Sequence, residues 1–385
     1  MKPSFINLIA FLCSVFFTFS TFAQSATAQL HPLIGAFYFG GWWENPPAHF
    51  APEIKLPTPV KDWRIPFPER EPVTGWYDDK QAIMDKQIEL ASDGGINFFA
   101  FDWYPPSAVA EHNYPGSNAN LNNGLRFFMA SPQNHKMSFM LVYNNQPPFA
   151  FSTPQEWANA CNYWITVFKH PRYLKVNGKP VFFLLSVSEL RKAMGGSSGV
   201  KAALTQLRNA AKAEGFPGVE IIGALPGPGP HNTTAINFAK DGYDAYSAYN
   251  FPLSQRNNAG AMPYPEMIEK ESGIWQSFDS SPIPLIPYLT SSWDRRATRG
   301  TDDKDSIWLT EHTPEAFREF LALAKQYMEK PARAHLEVKN LLFLYAWNEI
   351  GEGGILIPTK QDGDSYLKQI REVFGTQKQR SETRP

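Results

Sequence analysis

Eight short apolar runs recur along this 385-residue chain, and helical patterns lie between them. The runs are Ile34–Phe39, Ile96–Phe101, Met137–Tyr143, Val181–Leu185, Val219–Leu225, Tyr243–Tyr249, Ile283–Leu289 and Leu341–Trp347. Each holds five to seven residues, mostly β-branched, aromatic or otherwise apolar. That length and hydrophobicity suit strands buried on both faces of a parallel sheet. Helices are predicted over Gln81–Ser92, stopped by Gly94-Gly95, and over Val200–Glu214, stopped by Gly215. Another opens at Thr153-Pro154-Gln155-Glu156, a capping-box sequence with Pro at the first helical position. Thr313-Pro314 opens one running to about Met328, and Ser365–Phe374 is the last. Eight strands alternating with helices predict an α/β fold, a single (β/α)8 TIM-type barrel spanning 29–375, followed by a flexible tail, 376–385. The alternative is a doubly wound open sheet. It ranks second because no Gly-x-Gly-x-x-Gly turn follows the first run.

The N-terminus reads as an export signal. Lys2 is followed by an apolar stretch, Leu8–Phe22, and then by small residues suited to cleavage after Ala23 or Ala28. Fifteen residues is short for a spanning helix, which needs about 20. The expectation is a periplasmic or secreted protein with residues 1–28 removed and no stable membrane insertion of the mature chain. Cleavage would leave Cys161 as the one cysteine, and an exported protein with a large core does not need a disulfide. Lys and Arg number 36 against 37 Asp and Glu, so the basic excess expected of a nucleic-acid binder is missing. The eight histidines are scattered and form no metal-binding pair; no cofactor is expected.

A barrel enzyme places its chemistry at the C-terminal ends of the strands. Those ends offer Tyr38, Trp42 and Trp43; Asp102, Trp103 and Tyr104; Tyr143, Asn144 and Asn145; Tyr249 and Asn250; Trp293, Asp294, Arg295 and Arg296; Trp347, Asn348, Glu349 and Glu352. The set is one of aromatics, amides and carboxyls, without His, Cys or Lys. Aromatic faces pack against sugar C–H groups, and amides and carboxyls bond hydroxyls. Glycosidic cleavage needs two carboxyl groups. Glu349 and Glu352 follow the last apolar run three residues apart. On a strand they would point to opposite faces, but a turn loosened by Gly351 can bring both to one pocket. Arg295, Arg296 and Arg299 read as a solvated loop.

The segment Trp347-Asn348-Glu349-Ile350-Gly351-Glu352-Gly353, with Ile357-Pro358 and Asp362-Gly363-Asp364-Ser365-Tyr366-Leu367, resembles the C-terminal signature of the glycoside hydrolase family 99-like domain. Ala36-Phe37-Tyr38-Phe39, Gly95-Ile96-Asn97-Phe98-Phe99, Phe101-Asp102-Trp103-Tyr104, His170-Pro171-Arg172-Tyr173, Asn177-Gly178-Lys179-Pro180 and Ser292-Trp293-Asp294 support the resemblance. It implies a (β/α)8 barrel that hydrolyses an α-linked manno- or rhamno-configured oligo- or polysaccharide with retention. Glu349 would take the proton of the substrate's own 2-hydroxyl, which closes a 1,2-anhydro sugar. Glu352 would serve as general acid and then base. Tyr38, Asp102, Trp103, Asn144, Tyr249, Trp293 and Asn348 would line the sugar site. Where the family 99 endo-α-mannosidases carry Trp-His between the two glutamates, this chain has Ile350-Gly351. The competing readings are a non-catalytic carbohydrate-binding barrel and, less favoured for an exported chain, a glycosyltransferase.

Overall fold

The computed structural model describes residues 31–44, 50, 62–105, 118–151, 153–225, 239–251, 260–299 and 307–375. The export-signal segment, most of the loop after the second strand, and the tail lie outside them. Among the described residues no helix is long and apolar enough to cross a membrane.

Eight strands make the barrel: β1 (Leu33–Tyr38), β2 (Phe98–Trp103), β3 (Ser138–Tyr143), β4 (Lys179–Leu184), β5 (Glu220–Ala224), β6 (Ala245–Ser247), β7 (Tyr288–Thr290) and β8 (Leu341–Tyr345). Each falls on one of the eight apolar runs. They pair in parallel in the order β6-β5-β4-β3-β2-β1-β8-β7. The ring is joined where the Tyr246 N–H donates to the Pro284 carbonyl and the Tyr246 carbonyl accepts from Ile286, both at 2.8 Å.

Helices pack outside: α1 (Gln81–Asp93), α2 (Asn123–Ala130), α3 (Pro154–Phe168), α4 (Ser197–Ala213), α5 (Tyr264–Ser277), α6 (Pro314–Met328) and α7 (Ser365–Phe374). The capping box at α3 forms as its sequence predicts. Thr153 Oγ1 accepts from the Glu156 N–H, and the Glu156 carboxylate accepts from the Thr153 N–H. At α6, Thr313 likewise caps Ala316. The fourth helix starts at Ser197, earlier than its apolar spacing indicates, because polar Ser197-Ser198 occupies the exposed first turn. The long loop after β7 contains a strand, Ile307–Thr310, which pairs in parallel with Gly260–Pro263.

Side chains alternate along the strands and sort into two layers. Phe37, Phe98, Phe183 and Phe343 point inward and meet at centroid distances of 5.4–5.7 Å. They form an aromatic floor, each ring contributing about 2 kcal/mol by burial. One step higher on the same inward faces stand Asp102 on β2 and Tyr345 on β8. Tyr38, Phe99, Phe101 and Trp103 point outward to the helices.

Candidate active site

The site is built on the segment after β8. Asn348–Glu349 pairs antiparallel with Gly354–Ile355, and the link between them, Ile350–Glu352, is one turn of 3-10 helix. This tight hairpin turns Glu349 and Glu352 toward the same mouth. Two glycines make it possible in different ways. Gly353 closes the turn at φ 81°, and a Cβ there would stand 2.7 Å from the Asp294 nitrogen. Gly351 lies against Thr298, Trp42 and Trp63, with a Cβ meeting the Thr298 methyl at 2.9 Å. Ile350 is buried with Trp42, Phe50, Trp63, Phe67 and Ala297. The Ile350-Gly351 pair is therefore filled by an aromatic wall from the loop after β1. There is no room for a large side chain at 351.

Arg70, absent from the sequence-based list, fastens this hairpin. Its guanidinium is buried. Nη1 lies 3.1 Å from the carbonyl oxygens of Ile350 and Asp294 and 3.3 Å from that of Gly351. Nη2 lies 2.9 Å from Asp294 Oδ2. The Asp294 N–H in turn donates to the Glu352 carbonyl at 2.7 Å. Burial raises the Asp294 carboxyl, but the Arg296 bond and the Arg70 charge outweigh it and hold the group below its usual range. One guanidinium thus ties together the loops after β1, β7 and β8. The planar fork lets Nη1 face the three carbonyls while Nη2 pairs with the Asp294 carboxylate, which a single ammonium nitrogen cannot do at the same geometry.

The carboxyls meet phenols at the mouth. The Tyr345 hydroxyl donates to Glu352 Oε2 at 2.7 Å, and Arg295 Nε stands 3.2 Å from Oε1 of the same group. The Tyr249 hydroxyl lies 2.7 Å from Glu349 Oε1 and 3.0 Å from Asp102 Oδ2. Tyr104 reaches Asp102 Oδ2 at 3.5 Å, and Asn144 Nδ2 donates to the Tyr104 hydroxyl at 3.2 Å. Asp102 is 3% exposed, and its Oδ1 has no hydrogen-bond partner among the described residues. Burial pushes its carboxyl up to about 8; the bonds from Tyr249 and Tyr104 oppose this, and the charge of Glu352 adds to it. Burial, then the charges of Glu352 and Asp102, raise Glu349 well above the carboxylate range, while Tyr249 and Arg295 pull it down. The Trp293 ring packs on Tyr345 at 5.7 Å and bounds the mouth on the β7 side.

Of the nine residues singled out by sequence, the structure gathers Glu349, Glu352, Asp102, Asn144, Tyr249 and Trp293 at this mouth. Three stand elsewhere. Tyr38 points into the helix layer, its hydroxyl 3.3 Å from Asp78 Oδ2. Trp103 packs against Tyr143, Tyr163 and Trp164. Asn348 is a buried crossbar: its amide accepts from the Phe39 N–H and donates to the Phe39 carbonyl and to Asp78. A strand end alternates its faces, and Asp102 takes the inward one, so Trp103 cannot. The arginine reading also changes. Arg295 faces Glu352 and Arg296 pairs with Asp294 at 2.9 Å, so neither is simply solvated. Tyr345 was missed because it lies inside an apolar run; its two-residue spacing from the inward Phe343 is the signal that finds it.

Residues 68–370 match the model of the family described as "Glycosyltransferase WbsX". The chain belongs to this family. The barrel of this WbsX-family chain is similar to that of a "glycoside hydrolase-like protein", with a TM-score of 0.59 at 17% identity, covering 90% of this chain and 94% of the other. It is equally similar, at 0.59 and 15% identity, to a GH99 endo-alpha-mannosidase from Bacteroides thetaiotaomicron, covering 93% of this chain and all of that one. No curated protein is similar in sequence. The WbsX-family chain therefore has a family 99-like (β/α)8 barrel.

Proposed function

We propose that this protein is an exported glycoside hydrolase that cleaves an α-linked manno- or rhamno-configured glycan with retention, through a 1,2-anhydro sugar. The observation that carries the reading is the convergence of Glu349 and Glu352 on one barrel mouth, each held by a phenol. Glu349 takes the proton from the substrate 2-hydroxyl as O2 closes on the anomeric carbon, and Glu352 protonates the departing glycosidic oxygen. Donation leaves a Glu352 carboxylate against Arg295 and Tyr345, which stabilise it. Water then adds at the anomeric carbon and gives its proton to Glu352, while Glu349 returns a proton to O2. Both groups end as they began. Trp293 offers an apolar face to the sugar ring. The apolar run at Leu8–Phe22 supports export.

The family description names a glycosyltransferase. A nucleotide-sugar donor presents a diphosphate. The described mouth offers it three carboxyls, with Arg295 already against Glu352, a poor match of charge. The test is reducing-sugar release from a panel of α-mannans, rhamnans and rhamnose-containing polysaccharides by wild type and Glu352→Gln. Release by wild type alone supports the hydrolase and the role of Glu352. Calorimetric binding without release favours a binding protein, and sugar transfer from a nucleotide donor favours the transferase.

A further inference from the structure

Tyr249 has one phenolic hydrogen, yet its oxygen lies within bonding distance of two carboxyl oxygens, Glu349 Oε1 at 2.7 Å and Asp102 Oδ2 at 3.0 Å. The hydrogen can serve only one of them. The other contact is attractive only if that carboxyl carries a proton of its own; otherwise an ionised oxygen faces a lone pair. The trio thus needs a second proton, on Asp102 or on Glu349. The surroundings choose between them. Asp102 is almost wholly buried, and the groups bonded to it are the phenols of Tyr104 and Tyr249. Burial raises Glu349 as well, but Glu349 is less deeply enclosed, feels the Arg295 guanidinium and has the shorter Tyr249 contact, 2.7 Å against 3.0 Å. The charge belongs on Glu349 and the proton on Asp102.

We propose that Asp102 is a proton-holding positioning residue: it donates through Oδ2 to the Tyr249 oxygen, so that Tyr249 donates to Glu349 and holds that carboxylate ionised and aimed at the substrate. The donors then run in one direction, from Asn144 to Tyr104, Asp102, Tyr249 and Glu349. The other titratable or charged groups facing this chain are Glu352, Tyr345 and Arg295. A neutral Asp102 removes a like charge that burdens Glu349. The inference rests on reading Glu349 as the group that takes the substrate's proton.

Two measurements test it, and only one needs a substrate. Infrared difference spectra of wild type against Asp102→Asn report the C=O stretch of a neutral carboxyl. The expected result is a neutral-carboxyl band at pH 6 that is missing from Asp102→Asn, fades as the pH rises through about 8, and shifts in frequency in Tyr249→Phe. No band lost in Asp102→Asn at pH 6, or a band unmoved in Tyr249→Phe, overturns the proposal. With a glycan that is turned over, kcat/KM of wild type falls on the alkaline side near pH 8. In Asp102→Asn, whose amide donates without titrating, kcat drops by about tenfold or less and that fall moves upward by at least about one pH unit. An unmoved alkaline fall overturns the proposal. Asp102→Leu, which cannot donate, should lose about a hundredfold in kcat with KM changed far less. An Asp102→Leu protein as active as Asp102→Asn overturns it. If no glycan is turned over, the spectra still decide the state of Asp102, so failure of the proposed function and failure of this inference are distinguishable.

Discussion

The two ends of the barrel both gather carboxyl groups, and they hold them in opposite ways. At the N-terminal end, Lys179 reaches Glu220 at 3.7 Å and Glu337 at 2.6 Å, and Arg208 holds Asp244 at 2.6 Å. Asp244 also accepts from the Ile221 N–H, so this end staples strands to helices. At the C-terminal mouth, Asp102, Glu349 and Glu352 are held by phenols, with Arg295 as their close cation. A phenol bonds a carboxyl without neutralising it, so the mouth keeps groups that can gain and lose protons. The N-terminal end pairs its carboxyls with cations, whereas the mouth bonds its own mostly to phenols, an arrangement that suits the proposed chemistry.

That contrast can be broken or sharpened, beginning with the largest effect. Glu352→Gln should lower kcat by about a thousandfold, with melting temperature nearly unchanged, because it removes a proton donor and no packing; glycan turnover and thermal unfolding measured on one preparation decide this. Arg70→Lys keeps the charge but cannot meet the carbonyls of Ile350, Gly351 and Asp294 and the Asp294 carboxylate together. Its kcat should fall by about ten- to a hundredfold with a smaller change in KM. A loss of stability with normal turnover would reduce Arg70 to a structural staple. Lys179→Met, at the other end, should lower the melting point by about 2 °C and leave kcat within about twofold.

A separate effect is on the pH dependence of stability. The folded chain keeps a proton on Asp102 up to about pH 8, whereas the unfolded chain releases it above about pH 4. This group's contribution is present in full below about pH 4 and lost as the pH rises toward 8. Asp102→Asn removes that loss, so its melting temperature should gain on wild type between pH 4 and pH 8. Parallel curves for the two proteins would mean that Asp102 is already ionised at neutral pH.

Sequence alone determined the barrel and singled out the segment after its last strand as the candidate site. The eight runs are legible because a strand buried on both faces must be apolar throughout, and the helix ends because Thr-Pro-x-Glu and Gly carry their own local geometry. Glu349 and Glu352 are legible as a pair because both follow the last buried strand, with a glycine between them that lets the turn bring them together. Which strand-end residues share the mouth was decided only by tertiary structure. Trp103 and Asp102 are adjacent in sequence and stand on opposite faces of one strand, and Tyr38 is displaced to the helix layer by the same alternation. Arg70 and Asp294 are 224 residues apart and meet only when two loops close over the hairpin. The hydrogen-bonded trio of Asp102, Tyr249 and Glu349 draws on the ends of three barrel strands at once. Local patterns record what each segment can bury, whereas the spacing of charges across a barrel exists only after the ring has closed.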